Sequence, residues 1–211
     1  MALDWEPLPT PKRGYEAEHE SLVRKLERAD GSLREQAMKW FLDITEPPFA
    51  TIGAPRIGFD PEADEWLRSR LEKSGRLAEL AEIQAAMRGD HILEIMPPCD
   101  GFPVYSNHRE AEHLDRYSFH AELLHGIVSD DLWRQARRML LAPEHRRLAE
   151  QLLDAAMRFA DDHVLPNHVE TIREPVFAEG TPERSGHILF AAAKWCWYWS
   201  ERGHGLAVID G

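Results

Sequence analysis

The residues best suited to chemistry are concentrated in one stretch of the chain, residues 107–125. Four of the eleven histidines lie there with four carboxylates, and these side chains are His108, His113, His120, His125, Glu110, Glu112, Asp115 and Glu122. Imidazole and carboxylate are common protein ligands of iron, zinc and manganese, and they are also common groups for proton transfer. Their density predicts a metal or acid–base site that includes this stretch.

The spacing of apolar residues predicts a helix over residues 108–125 and divides these side chains into two sets. At about 100° per residue, Glu110 falls on the apolar face of that helix, and His113 and His120 fall on its flank. That face consists of Leu114, Tyr117, Ala121, Leu124 and Val128. The other carboxylates point towards water. A Glu and a His three residues apart on an inward face, as in Glu110 and His113, are typical of di-iron sites in helical bundles.

Other predicted helices add inward polar residues that could complete the site. His19 shares a face with the apolar residues of the first helix, and His163 lies on the apolar face of the helix that ends near residue 165. Lys194 and His187 lie on one stripe of the last helix. A buried polar group is costly unless it is paired, so a shared polar site would offset much of this cost. Alternatively, His19 and His163 bond to backbone carbonyls in the core, and Lys194 extends to solvent.

We therefore predict an enzyme that metabolises a small molecule, and an iron-dependent oxidoreductase is the first hypothesis. Its predicted metal ligands are Glu110, His113, His120, His163 and His19, and its predicted catalytic groups are Tyr117, His120 and Lys194. Iron suits such a set of imidazoles and carboxylates, and an open coordination position would let oxygen react. Haem held by one inward histidine is a variant of the same hypothesis.

Two further hypotheses remain open. In a metal-free enzyme, His113 or His120 would act as a general base beside Glu110, while Tyr117 or Lys194 would stabilise negative charge. In a non-enzymatic protein-interaction domain, the same polar groups would form a structural network, and the acidic surface and Trp-rich last helix would bind a protein.

Composition excludes several classes of function. Twenty-five basic against 37 acidic residues give a formal charge of −12, which disfavours nucleic acid as a partner. No apolar run reaches the roughly 18 residues of a membrane span, and the first residues do not have the pattern of a secretion signal. We expect a cytoplasmic protein that acts on a small-molecule substrate and can form a homodimer.

The pattern of the whole chain predicts an all-α fold. We expect one bundle of about seven or eight helices over residues 15–211, with an extended N-terminal arm over residues 1–14 and at most one or two short strands. Asp60-Pro61 and Thr181-Pro182 are typical helix starts. Residues 91–96 are the best strand candidate, and residues 46–60 are predicted to be a connection. His108 and His125 are predicted at the ends of their helix, and four further histidines are predicted at the surface, namely His91, His145, His168 and His204.

Overall fold

The computed structural model describes residues 3–28, 31–92, 94–96, 117–119, 126–167, 177–178 and 180–210. These residues are mostly helical, which confirms the all-α prediction. The helices are α1 (Glu16–Leu26), α2 (Gly31–Asp43), α3 (Pro48–Ile52), α4 (Pro61–Lys73), α5 (Leu80–Ala86), α6 (Asp130–Ala136), α7 (Ala142–His163) and α8 (Pro182–Glu201). The short strands are β1 (Leu3–Pro7), β2 (Thr10–Pro11), β3 (Thr45–Glu46), β4 (Tyr117–Phe119) and β5 (Leu206–Asp210).

The described residues group into two compact units. The first contains residues 3–48 and 117–210, and the second contains residues 49–96. The predicted boundaries of a single domain over residues 15–211 and an arm over residues 1–14 stay a prediction.

Long helices and a small sheet form the first unit. Helix α8 packs along α7, and its residues from Gly186 to Cys196 are buried on nearly every side. Thr181 caps this helix by accepting a hydrogen bond from the Arg184 backbone N–H at 3.4 Å, and Pro182 lies in its first turn. An apolar surface on nearly every side is typical of a helix in the centre of a core, as α8 is here.

The N-terminal segment is the middle strand of the three-stranded sheet. Strand β1 pairs antiparallel with β4, where Trp5 faces Tyr117, and with β5, where Trp5 faces Val208. The Trp5 and Leu8 side chains are buried, and the Trp5 indole N–H donates to the Ala136 carbonyl at 2.9 Å. The segment is therefore extended, and it is held on both edges by strands that are distant in sequence.

The second unit is built around α4. Ala63, Leu67 and Leu71 recur at helical spacing and pack with Ile57 and Ile92 in an apolar cluster. Because these three residues share one face of α4, the opposite face of the helix is turned to solvent.

Three local predictions are wrong. Residues 91–96 do not form a strand among the described residues, because only His91 makes an isolated bridge, to Arg56. The predicted connection at residues 46–60 contains the last residue of β3 and all of α3. The predicted helix over residues 108–125 is interrupted at Tyr117–Phe119, which forms β4. Aromatic residues favour strands, and pairing with β1 satisfies the backbone of this segment better than a local helical preference.

Val164 ends α7 in a strained backbone conformation. Its φ of 55° and ψ of 44° are left-handed, and its side chain is 93% exposed, so packing does not compensate for the strain. We expect V164G to raise the free energy of unfolding by about 1 kcal/mol, because glycine adopts this conformation without a Cβ clash. Urea unfolding followed by circular dichroism measures the change. The control, D161G, places glycine inside the last turn of the same helix and should lower stability; a loss of stability in V164G as well would contradict the assignment of strain.

Gly205 is required by a close approach between chain segments. A Cβ at this position would lie 2.1 Å from the Leu140 carbonyl oxygen and 2.8 Å from a Leu8 methyl. Leu140 and Leu206 form a β-bridge at the same place, so the backbone cannot shift without loss of hydrogen bonds. We expect G205A to lower the free energy of unfolding by about 3 kcal/mol. G14A is the comparison, because nothing lies within 4 Å of a Cβ there and the left-handed φ of 91° costs alanine only about 1 kcal/mol. Equal losses in the two variants, measured by thermal unfolding, would show that crowding at Gly205 has no effect.

Candidate functional site

The structure describes only some of the sequence-predicted site residues. Glu110, His113 and His120 fall outside the described residues. Of the predicted set, the backbone of Tyr117 and the side chains of His19, His163 and Lys194 are described.

His19 is buried and bonded to the backbone. Its Nε2 lies 2.9 Å from the Pro9 carbonyl oxygen, and its ring stacks on Phe41 at 5.2 Å between centroids. A carbonyl oxygen only accepts, so this ring nitrogen carries the proton and donates. Burial lowers the pKa of the His19 imidazole and outweighs the bond to Pro9. This imidazole therefore fastens the N-terminal segment to α1.

His163 does not face inward as expected. It is the last residue of α7, its side chain is exposed, and its Nδ1 lies 2.9 Å from the Phe159 carbonyl oxygen. The ring stacks on Phe159 at 4.1 Å. The apolar stripe of α7 is buried up to Ala160, and the helix continues beyond the packed part of that stripe. His19 and His163 thus have separate surroundings.

The metal hypothesis depends on Glu110, His113 and His120, which lie outside the residues that the structure describes. Within the described part of the chain, no three His, Cys, Asp or Glu side chains come together in a group that could hold a metal ion. Iron ligation by Glu110, His113 and His120 stays a prediction, as does haem.

Helix α8 carries two buried basic side chains on one face. His187 is 1% exposed and Lys194 is 7% exposed, so Lys194 does not extend to solvent as the alternative reading expected. The two lie seven residues apart, which returns to nearly the same helix direction and spans about 10 Å. Ala191, also buried, lies between them on that face. The His187 ring lies 5.8 Å from the Phe177 ring.

Strand β4 brings Tyr117 into the vicinity of this helix. It pairs with β1 through Tyr117 and Trp5, and it packs against α8. The segment that carries Tyr117 and the helix that carries Lys194 are therefore neighbours, although they are far apart in sequence.

Sequence reasoning missed two buried histidines. His145 and His204 were expected at the surface, but both are 0% exposed. His145 Nδ1 lies 3.0 Å from the His204 carbonyl oxygen, and His204 Nδ1 lies 2.8 Å from the Leu8 carbonyl oxygen. A signal existed for His145, which precedes the buried residues Leu148 and Ala149 by three and four positions on one face of α7. His204 follows a glycine and belongs to no periodic pattern.

Aromatic rings surround these two imidazoles. The His145 ring lies 5.6 Å from Trp195, and the His204 ring lies 5.2 Å from Trp199. Burial lowers the pKa of His145 from 6.5 to about 4 and also lowers the pKa of His204. His145 Nε2 has no hydrogen-bond partner among the described residues. A proton on that nitrogen would be buried without an acceptor, so the neutral ring belongs to the folded state.

Comparisons with models of known protein families, with curated proteins and with solved structures found no match. Among the described residues, none of the helices combines the length and the apolar composition needed to cross a membrane.

The lowered pKa of His145 predicts a loss of stability in acid. The unfolded chain takes up a proton near pH 6.5, while the folded state resists protonation until about pH 4. The stabilisation is therefore complete above pH 6.5 and is lost as the pH falls towards 4, by about 3 kcal/mol for this group. We expect H145N, which keeps an N–H donor, to flatten the dependence of urea unfolding on pH across that window. H163N alters an exposed histidine and should leave the dependence unchanged; a profile of H145N identical to that of the wild type would rule out His145 as its source.

Proposed function

We propose that this protein is an enzyme that acts on a small molecule carrying a carboxylate or a developing oxyanion, with Lys194 and His187 of α8 in its polar centre. The observation that carries the proposal is the burial of both basic side chains on one face of an otherwise apolar helix. Buried ionisable groups are costly to folding, and such groups are concentrated at functional sites.

The two side chains have complementary chemistry. The Lys194 ammonium has three N–H donors and stabilises negative charge on a substrate oxygen, whereas the His187 imidazole accepts or donates a proton. Side chains on a helix lean towards its N-terminus, so Lys194 leaves the backbone in the direction of His187. Ala191 puts only a methyl group between them. A substrate that touches both groups would have to be compact, because they lie about 10 Å apart on one face of the helix.

Tyr117 is the third group in the proposal. The packing of β4 against α8 supports a role for this residue beside Lys194, since a phenol donates a hydrogen bond to the same kind of oxygen. The iron-dependent oxidoreductase is the metal-containing form of the proposal. In that form Glu110, His113 and His120 would hold the metal, and bound iron would supply oxygen activation.

Ligand binding by K194M tests the proposal. We expect the wild-type protein to be stabilised in thermal unfolding by at least one of acetate, pyruvate, succinate and benzoate, and K194M to bind that acid at least about tenfold more weakly. K194M should retain stability within about 1 kcal/mol, because methionine fills a similar buried volume. K39M changes an exposed lysine of α2 and is the matched control.

Two outcomes would contradict the proposal. One is the absence of binding of all four acids to the wild-type protein, and the other is equal binding by K194M and the wild type. Elemental analysis of protein purified without chelator separates the two forms of the enzyme. Stoichiometric iron that is lost in H113A supports the metal form, and acid binding that depends on Lys194 in metal-free protein supports the other.

A further inference from the structure

The second unit carries an open groove along α4 that the proposed function does not use. Its volume is about 1280 Å³. One wall is the face of α4 opposite its buried face, and residues from 52–55 and 94–96 form the other wall. Trp66 and Ile95 are partly buried against the apolar cluster beneath, and they line the groove. The groove therefore has an apolar floor in its middle.

Charged side chains of α4 follow a definite order along this groove. Glu62 and Glu65 line the end near the start of the helix, and Arg70 and Lys73 line the other end. Eleven residues separate the first from the last of them, which corresponds to about 16 Å along the helix. The groove is thus acidic at one end and basic at the other.

Existing ion pairs leave a free charge at each end. Arg70 pairs with Glu94 across the groove at 3.1 Å, and its guanidinium lies 5.1 Å from the centre of the Trp66 ring. Within the described part of the chain, no ion pair is recorded for Glu62 or Lys73, and both are exposed. These two side chains are available to a binding partner.

We propose that this groove binds an extended peptide segment of a partner protein, with a basic side chain at one end, an apolar side chain in the middle and an acidic side chain at the other end. An extended chain rises about 3.3 Å per residue, so the first and last of five residues lie about 13 Å apart, and their long side chains reach charges about 16 Å apart. The basic residue would contact Glu62, the apolar residue would contact Trp66 and Ile95, and the acidic residue would contact Lys73.

Size and charge favour a peptide over other ligands. Small-molecule pockets are typically about 300–1,000 Å³ and enclose most of their ligand, whereas this groove is larger and its rim is exposed. A nucleic acid is a disfavoured ligand, because Glu62, Glu65 and Glu94 line the groove and repel its phosphates. Glu62 and Lys73 lie about 16 Å apart and carry opposite charges. This arrangement suits a linear ligand with a basic side chain at one end and an acidic side chain at the other.

Three labelled peptides test the proposal on the full chain. Each has acetyl and amide ends and a Leu centre flanked by Ala, and the outer residues are Lys and Glu, Lys and Lys, or Glu and Glu. Fluorescence anisotropy measures each dissociation constant. We expect the peptide with opposite charges to bind the wild-type protein about fivefold more tightly than either of the others. Sequence reversal is not a useful control, because an extended peptide can lie in either direction.

Charge reversal in the groove should change this order of affinity. In K73E both ends are acidic, so the peptide with two lysines should become the tightest ligand. In E62K the acidic end is weakened, and the peptide with two glutamates should gain affinity. K39E reverses a charge on α2 and should leave the order unchanged. All these positions are exposed, and circular dichroism checks that each variant is folded.

Three results would overturn the proposal: equal affinity of the wild type for all three peptides, an unchanged order in K73E and E62K, or no binding of any peptide at millimolar concentration. None of them bears on Lys194, whose variant is tested with small acids, so failure at the groove and failure of the enzyme proposal are distinguishable.

Discussion

Hydrogen bonds from buried imidazoles to backbone carbonyl oxygens hold the first unit together. His204 donates to Leu8, His19 to Pro9, and His145 to His204 itself. The Leu8 N–H in turn donates to the Gly205 carbonyl at 3.0 Å. Because β1 is the middle strand of its sheet, these contacts at its end also fix the strands on both of its edges. Each imidazole contributes one N–H, and burial keeps its ring neutral, so the arrangement introduces no buried charge.

Much of the helical architecture follows from local signals in the sequence. Apolar periodicity predicted α1, α4, α7 and α8, and the pairs Asp60-Pro61 and Thr181-Pro182 marked two of their starts. Strand pairing was not predictable in this way, since the partners of β1 are residues 117–119 and 206–210. No window of local sequence contains both strands of such a pair, and the aromatic residues at Tyr117–Phe119 fit a helical period as well as a strand.

The candidate site was predictable only in part, and the reasons differ among the basic residues. Lys194 and His187 were found because α8 is apolar enough for any polar side chain to stand out. His163 satisfied the same periodicity, but it lies where α7 is no longer covered, and periodicity does not show where packing ends. His204 has no periodic neighbours, and it is buried next to the place where Gly205 approaches Leu140 closely. That approach is a tertiary contact, which a single sequence does not reveal.

Burial has different consequences for the imidazoles and for the lysine of this unit. A neutral imidazole needs one acceptor for its N–H, and a single backbone carbonyl supplies it for His145 and for His204. An ammonium has three donors and no acceptor, so α8 holds Lys194 only where its surroundings supply several oxygens or a ligand does. An apolar residue of similar volume would satisfy packing at this position without that demand. Backbone hydrogen bonds therefore account for the burial of His145 and His204, whereas a buried lysine makes a larger demand on its surroundings than either imidazole does.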